Sequence, residues 1–327
     1  MRQISISGFL IVTILAVSAG VQAIEVTAAL EKLGFSSDAE QKVIAGEFVE
    51  TSLPVSSERE LNIGISFLVK TAPELLSRKL REEKLLQKVD PTVIAYGTLE
   101  GDGTPAQLAA LKLTPAQLKA YTNAKAGDDL NLSVDEITAL KSAGKDSAAI
   151  QGTVHELLLA RYRAYRSKGL AGIMPYARRE SKTDPGGDLS KFNRFVRKTG
   201  LLSADFYNLL DNYPTGVPSN LTENFYWSQF TAHGADTIAL VHVFQGTFAG
   251  TLIAVQRHYY VSTGYNIEQA IAGFLPVKEG TLVIYTNRTS TDQLAGFGSG
   301  AKRTIGRKIM ASELKKLFEK TRTAVSK

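Results

Sequence analysis

Residues 235–245 (ADTIALVHVFQ), 250–261 (GTLIAVQRHYYV) and 280–287 (GTLVIYTN) are followed by a run of helical period from 301 to 324, and this succession decides the fold. The three segments are rich in Val, Ile, Thr, Tyr and Phe and are bounded by Gly246, Gly250, Gly264 and Gly280. That is the composition and punctuation of strands joined by hairpins. In the last run Ile305, Ile309, Met310, Leu314, Leu317, Phe318 and Thr321 share one stripe, as on a helix with a single buried face. The segment 235–327 therefore reads as a curved antiparallel sheet followed by a long C-terminal helix, the skeleton of a grip around a cavity.

The rest of the chain reads as an elaboration of that unit. Residues 224–230 open the C-terminal sheet, behind the turn-forming stretch 214–218 (PTGVP). From 134 to 212 the spacing is helical, most clearly over 148–167, where Ile150, Val154, Leu157, Leu158 and Tyr162 share a face. Residues 182–188 (KTDPGGD) interrupt it with a turn. Further upstream, 47–53 and 61–69 read as strands, the second alternating Leu61, Ile63, Ile65, Phe67 and Val69 on one side. Pro73 stands at the first turn of a helix running toward Leu86. Residues 93–99 and 128–132 are candidate short strands, and 26–46 holds two short helical segments, the second with a Ser37–Glu40 capping-box spacing. The PAQL echo at Pro105 and Pro115 is shorter than the ~20 residues of a solenoid repeat and reads as a duplicated helix start. The organisation expected is a signal peptide over 1–23, the N-terminal half of an α+β domain over 24–133, a helical insert over 134–218, and the sheet and long helix of the same domain over 219–327.

At the N-terminus, Arg2 precedes an apolar run from Ile4 to Val17, and Val21-Gln22-Ala23 offers the small residues of a cleavage site. The expectation is export to the periplasm, with Ile24 as the first mature residue; the alternative is an uncleaved anchor. The run is shorter than the ~20 residues that span a bilayer. The absence of cysteine excludes disulfides, thiolate metal sites and an acylated N-terminal cysteine. Lys and Arg number 38 against 32 Asp and Glu, a formal charge of +6. The excess lies in 301–327, where nine cations and two carboxylates leave +7. A basic amphipathic helix of this kind, over 301–324, suits a membrane surface with acidic headgroups. The same helix also fits a plain solvated face. Nucleic acid is not an expected partner for an exported chain without a recognisable binding motif.

The block 262–307, with TNRTSTDQLAGFGSGAKRTIGR (286–307) in it, joins a strand ending in Asn287-Arg288 to Asp292, a turn with Gly296, Gly298 and Gly300, and a helix start at Lys302-Arg303. In this it resembles a family of exported bacterial proteins of unknown function. The order of strands and final helix is similar, as architecture alone, to the START or polyketide-cyclase-like (helix-grip) superfamily. That resemblance implies an enclosed lipid or other apolar ligand.

The residues themselves name candidates. His242 and His258 lie on adjacent predicted strands and could face each other, but no carboxylate-rich or His-rich spacing accompanies them, so no metal site is expected. Arg288 could take a ligand carboxylate or phosphate with Asp292 orienting it, or the two could tie the turn to the sheet. Asn287, Tyr260 and Trp227 complete the candidate binding set, with apolar area for a pocket. Gly296-Phe-Gly-Ser-Gly300 lacks the spacing of a phosphate loop. No hydrolase triad order, nucleophile elbow or HExxH occurs, so neither a catalytic residue nor a cofactor is assigned. The leading expectation is an apolar or amphipathic small molecule held between sheet and helix. The alternatives are an enzyme acting on such a ligand and an envelope protein contacting membrane or a partner.

Overall fold

The alternation along 61–69 needs a partner on each side, and the structure supplies both. It is a computed structural model that describes residues 25–80, 90–127, 129–232, 234–248, 250–296 and 298–325. Its strands are β1 (Val49–Thr51), β2 (Glu60–Val69), β3 (Val93–Leu99), β4 (Tyr176–Ala177), β5 (Lys182–Thr183), β6 (Thr222–Ala232), β7 (Ala235–Phe248), β8 (Thr251–Val261), β9 (Ile267–Val277) and β10 (Gly280–Ser290). Eight of them form one curved antiparallel sheet in the order β1-β2-β10-β9-β8-β7-β6-β3, while β4 and β5 pair separately. From β6 to β10 the chain is a meander of hairpins, and β2 closes onto β10 from Thr281↔Val69 to Ser290↔Glu60.

The helices are α1 (Val26–Lys32), α2 (Ala39–Ile44), α3 (Pro73–Leu80), α4 (Pro115–Thr122), α5 (Val134–Ser142), α6 (Ser147–Lys168), α7 (Pro185–Thr199), α8 (Ala204–Asn212) and α9 (Ser299–Val325). They divide between the two faces of the sheet. On one face α9 lays Met310, Leu314, Leu317 and Phe318 against Leu61, Ile63, Ile65, Phe67 and Val69. Phe318 stacks on Phe67 at 4.8 Å and meets the Tyr285 ring edge-on at 4.9 Å. On the other face lie α1, α2, α7 and the helices between β3 and β6, whose apolar residues join Trp227, Leu240, Phe244, Ile253 and Ile271 in a continuous core.

The stripe of α9 follows the expected one from Met310 onward and departs from it at its start. Ile305 is 41% exposed, and burial begins with Gly306 and Met310. The cause is polar: Arg303 donates to the Glu60 carbonyl at 3.0 Å and Arg307 to the Asn62 carbonyl at 3.1 Å. Two arginines four apart share a helix face, so anchoring them on β2 turns Ile305 outward. Lys315 pairs with Glu50, and Arg322 lies over the Phe48 ring at 4.8 Å. Much of the basic helix is thus committed to the β1–β2 side of its own sheet, leaving Lys308, Lys316 and Lys320 exposed.

Other sequence expectations fare variously. The PAQL echo does mark two helix starts, each opened by a Thr whose N–H is accepted by a Gln side chain three residues on: Thr104 with Gln107 at 3.0 Å and Thr114 with Gln117 at 3.1 Å. The Ser37–Glu40 box does not form, because Glu40 accepts instead from Thr27 of α1. No strand occupies the described part of 128–132, although Asn131 donates its N–H to the Ser262 carbonyl at 2.9 Å. β9 was not anticipated. Its Glu268, Gln269, Gly273 and Pro276 are residues that more often punctuate strands than build them. The helical layer also begins before 134, since Leu108 and Tyr121 share a core with α5 and α6. The expected export segment 1–23 and the far end of the expected helix toward Leu86 lie outside the described residues. No helix among the described residues is long and apolar enough to cross a membrane.

Candidate functional site

Strand parity builds the site. On the α9 face the register sets three rows across β8, β9 and β10: His258, Glu268 and Thr289; Gln256, Ala270 and Asn287; Ala254, Ala272 and Tyr285. Side chains directly opposite across antiparallel strands stand ~5 Å apart at Cβ, so each row is a line of contacts. The alanines leave α9 without full contact. A cavity of about 60 Å³ remains, walled by Phe67, Phe274, Val283 and Phe318 and lined also by Gln256, Tyr285, Thr321 and Arg322.

Both polar side chains lead into a buried network. The Gln256 amide donates to His258 Nε2 at 2.9 Å and accepts from the Tyr226 hydroxyl at 3.3 Å. With Nε2 accepting, the imidazole carries its proton on Nδ1 and donates it to Tyr265 Oη at 2.6 Å. On the other strand Asn287 donates to Tyr285 Oη at 3.1 Å and accepts from Thr289 Oγ1 at 2.9 Å. Thr289 also lies 3.3 Å from Glu268 Oε2.

Glu268 is 1% exposed, and its Oε1 has no partner among the described residues. Burial raises its pKa from 4.5 to about 7, against the weaker downward pull of hydrogen bonds from Asn287 and Thr289. His258 is pushed down to about 3 by burial, so its imidazole is neutral. The arrangement is an apolar cavity beside a buried polar network that includes a carboxyl poised near neutrality. Chemically it can grip an apolar group, hydrogen-bond a polar one, and hold or release a proton.

The sequence-derived candidates do not converge. His258 and Asn287 stand in this network, but His242 does not face His258. His242 pairs with Arg257 and His258 with Val241, so the two imidazoles lie on opposite faces of the sheet. His242 is stacked on Phe225 at 4.2 Å, between Tyr165 at 3.0 Å and Glu223 at 3.1 Å, and burial lowers its pKa to about 4. A bulge after Leu240 puts Tyr260 opposite Leu240 on the insert side, under the Arg161 guanidinium at 4.2 Å. Arg161 makes a buried two-point ion pair with Glu136 at 2.6 and 2.5 Å. Trp227 donates to the Gln107 carbonyl at 2.9 Å and is fully buried. Asp292 does not orient Arg288. It ties the turn after β10 to Arg178 at 2.8 Å, Arg59 at 3.3 Å and Asn266 at 3.1 Å. Arg288 pairs with Glu60 on the face opposite α9.

Sequence reasoning missed Glu268, Gln256 and Tyr285. The signal for Glu268 was a carboxylate between Ile267 and Ala270 in a segment otherwise able to form a strand, and it went unread because the strand itself did. Among the described residues no group of His, Cys, Asp and Glu is placed to hold a metal ion. No protein-family profile, no curated protein and no solved structure matches this chain.

Proposed function

We propose that this is an exported, START-like binding protein that holds a small or slender amphipathic molecule between the sheet and α9. The observation that carries the reading is the cavity under α9, apolar on its walls and flanked by Gln256 and Tyr285, whose polar atoms are bonded into the buried network. The strand order, with β2 beside β10 and the long helix across them, supports the helix-grip comparison. Size narrows the ligand: pockets for whole small molecules run to ~300–1,000 Å³, so about 60 Å³ takes a narrow tail or a single small group rather than a sterol. Native mass spectrometry with organic extraction, on protein purified from its own cell envelope, tests this. A stoichiometric apolar adduct that Ala272→Leu abolishes is expected. No adduct, together with a stabilised Ala272→Leu variant, would reduce the cavity to a packing defect.

One observation favours a second, enzymatic reading. A carboxyl held at about 7 has the pKa of an effective general base at neutral pH. Glu268 does not itself line the cavity, so on this reading the side chains between them part to bring a bound C–H or O–H to it, and Glu268→Gln abolishes turnover of the extracted ligand without releasing it.

A further inference from the structure

The polar residues that line the cavity under α9 are not alike. Gln256, Tyr285 and Thr321 have polar atoms bonded within the protein, to His258 and Tyr226, to Asn287 and to the Leu317 carbonyl. Arg322 is the one charged side chain among the described residues that line the space. It is half-buried and gives a single N–H to the Gly46 carbonyl at 3.3 Å. It has no carboxylate partner among the described residues.

A row of aromatic rings fixes where this guanidinium stands. It lies over Phe48 at 4.8 Å; Phe48 stacks on Phe67 at 5.0 Å, and Phe67 on Phe318 at 4.8 Å. The last two rings wall the cavity, so Arg322 sits where that apolar wall reaches water. A second cation stands at the same end of α9. On α3, Leu76 lines the cavity, and Lys79, one turn further, donates to the Val325 carbonyl at 2.6 Å. Val325 also lines the cavity and lies one turn beyond Arg322. Lys79 is half-buried and likewise has no carboxylate partner among the described residues.

Two cations without a counter-charge, at the rim of an apolar cavity, select the head of the molecule that enters it. We propose that the occupant is an amphiphilic anion whose slender tail fills the cavity and whose carboxylate stays at the rim on Arg322, with Lys79 adding to the attraction. This rests on the reading of the α9 cavity as a binding site and assigns the ligand its charge. A guanidinium offers paired N–H groups to a carboxylate, and such charge-assisted bonds are roughly twice as strong as neutral ones. At the rim the head keeps water on its open side and avoids the cost that a charge meets in the interior. The cavity, at about 60 Å³, is less than half of the ~150 Å³ that holds benzene, so a few carbons of an unbranched tail enter it.

Hexanoate, 1-hexanol and hexylammonium share a tail and differ in the head. Each is titrated into the isotope-labelled protein and followed by NMR, through the Arg322 side-chain N–H signal, identified by its loss in Arg322→Gln, and through the backbone signals of Ala272 and Phe318. Hexanoate is expected to bind at least tenfold more tightly than the other two and to move the Arg322 signal. Arg322→Gln should bring hexanoate down to the level of 1-hexanol while 1-hexanol binds as before, which shows that the cavity survives the substitution. Ala272→Leu should abolish binding of all three. Equal binding of hexanoate and 1-hexanol, both lost in Ala272→Leu, would keep the cavity as a binding site and overturn the anionic head. Hexanoate binding that survives Ala272→Leu would be a surface ion pair, and hexanoate binding indifferent to Arg322→Gln would place the head elsewhere; either overturns the proposal. No binding by any probe would overturn both the proposal and the reading on which it rests.

Discussion

Glu268→Gln offers the sharpest test of the electrostatics beneath α9. The carboxyl is fully buried beside Asn287 and Thr289 and shifted from 4.5 to about 7, chiefly by burial. At ~1.4 kcal/mol per tenfold change, that shift corresponds to roughly 3 kcal/mol. The sign follows from which state holds the proton. In the folded protein the carboxyl stays protonated to a higher pH than in the unfolded chain. The stability from this group is therefore complete below 4.5, declines as pH rises toward 7, and is gone above. Glutamine keeps the shape and loses the titration. Urea unfolding of wild type and Glu268→Gln across about pH 5 to pH 8 should show the variant gaining roughly 2 kcal/mol relative to wild type over that interval. His242 and His258, lowered to about 4 and about 3, withdraw stability as pH falls below 6.5. They do so in both proteins, so they cancel in the difference. A stability difference that is flat with pH would refute the reasoning, because it would mean that Glu268 finds a compensating donor or water in solution.

Three further outcomes follow from single side chains. Glu136→Gln removes the carboxylate that neutralises Arg161 in a site 3% exposed, and should cost about 3–5 kcal/mol in urea unfolding, against near-neutrality for an exposed pair. Phe318→Ala deletes the ring that touches both Phe67 and Tyr285; about 3–5 kcal/mol of stability should be lost, with hydrogen exchange accelerating first along α9. Gly97→Ala sets a Cβ 2.7 Å from Trp227 Nε1 and is expected to displace the indole from the Gln107 carbonyl. Because the chain has a single tryptophan, the emission maximum reports this directly, and an unchanged spectrum would show that β3 yields instead of the ring.

Much of the fold was legible because its signals are local. The alternation along 61–69 survives as a strand buried on both faces, the spacing over 148–167 as most of α6, and the helical period over 301–324 as α9. β9 was illegible for an equally local reason: a glycine, a proline and two polar residues within it imitate a loop, and only pairing with β8 and β10 along its length makes it a strand. Of the candidate site residues, His258 and Asn287 belong to the network under α9. Tyr260 and His242 instead hold the insert to the sheet, Trp227 holds the turn at Gln107 ahead of it, and Asp292 ties the turn after β10 to the β1–β2 loop and to the insert.

By itself the sequence determined the class of structure, strands closed by a basic C-terminal helix, because hydrophobic period and turn residues act within a few positions of the chain. Only the tertiary structure decided which side chains meet. Strand parity and the bulge after Leu240 send His242 and His258 to opposite faces, and three strands in register bring Gln256, Glu268 and Asn287 together. Burial then sets what those groups can do: a glutamate that looks ordinary in the chain becomes a carboxyl near neutrality, because the water that would stabilise its charge is excluded by residues distant in sequence.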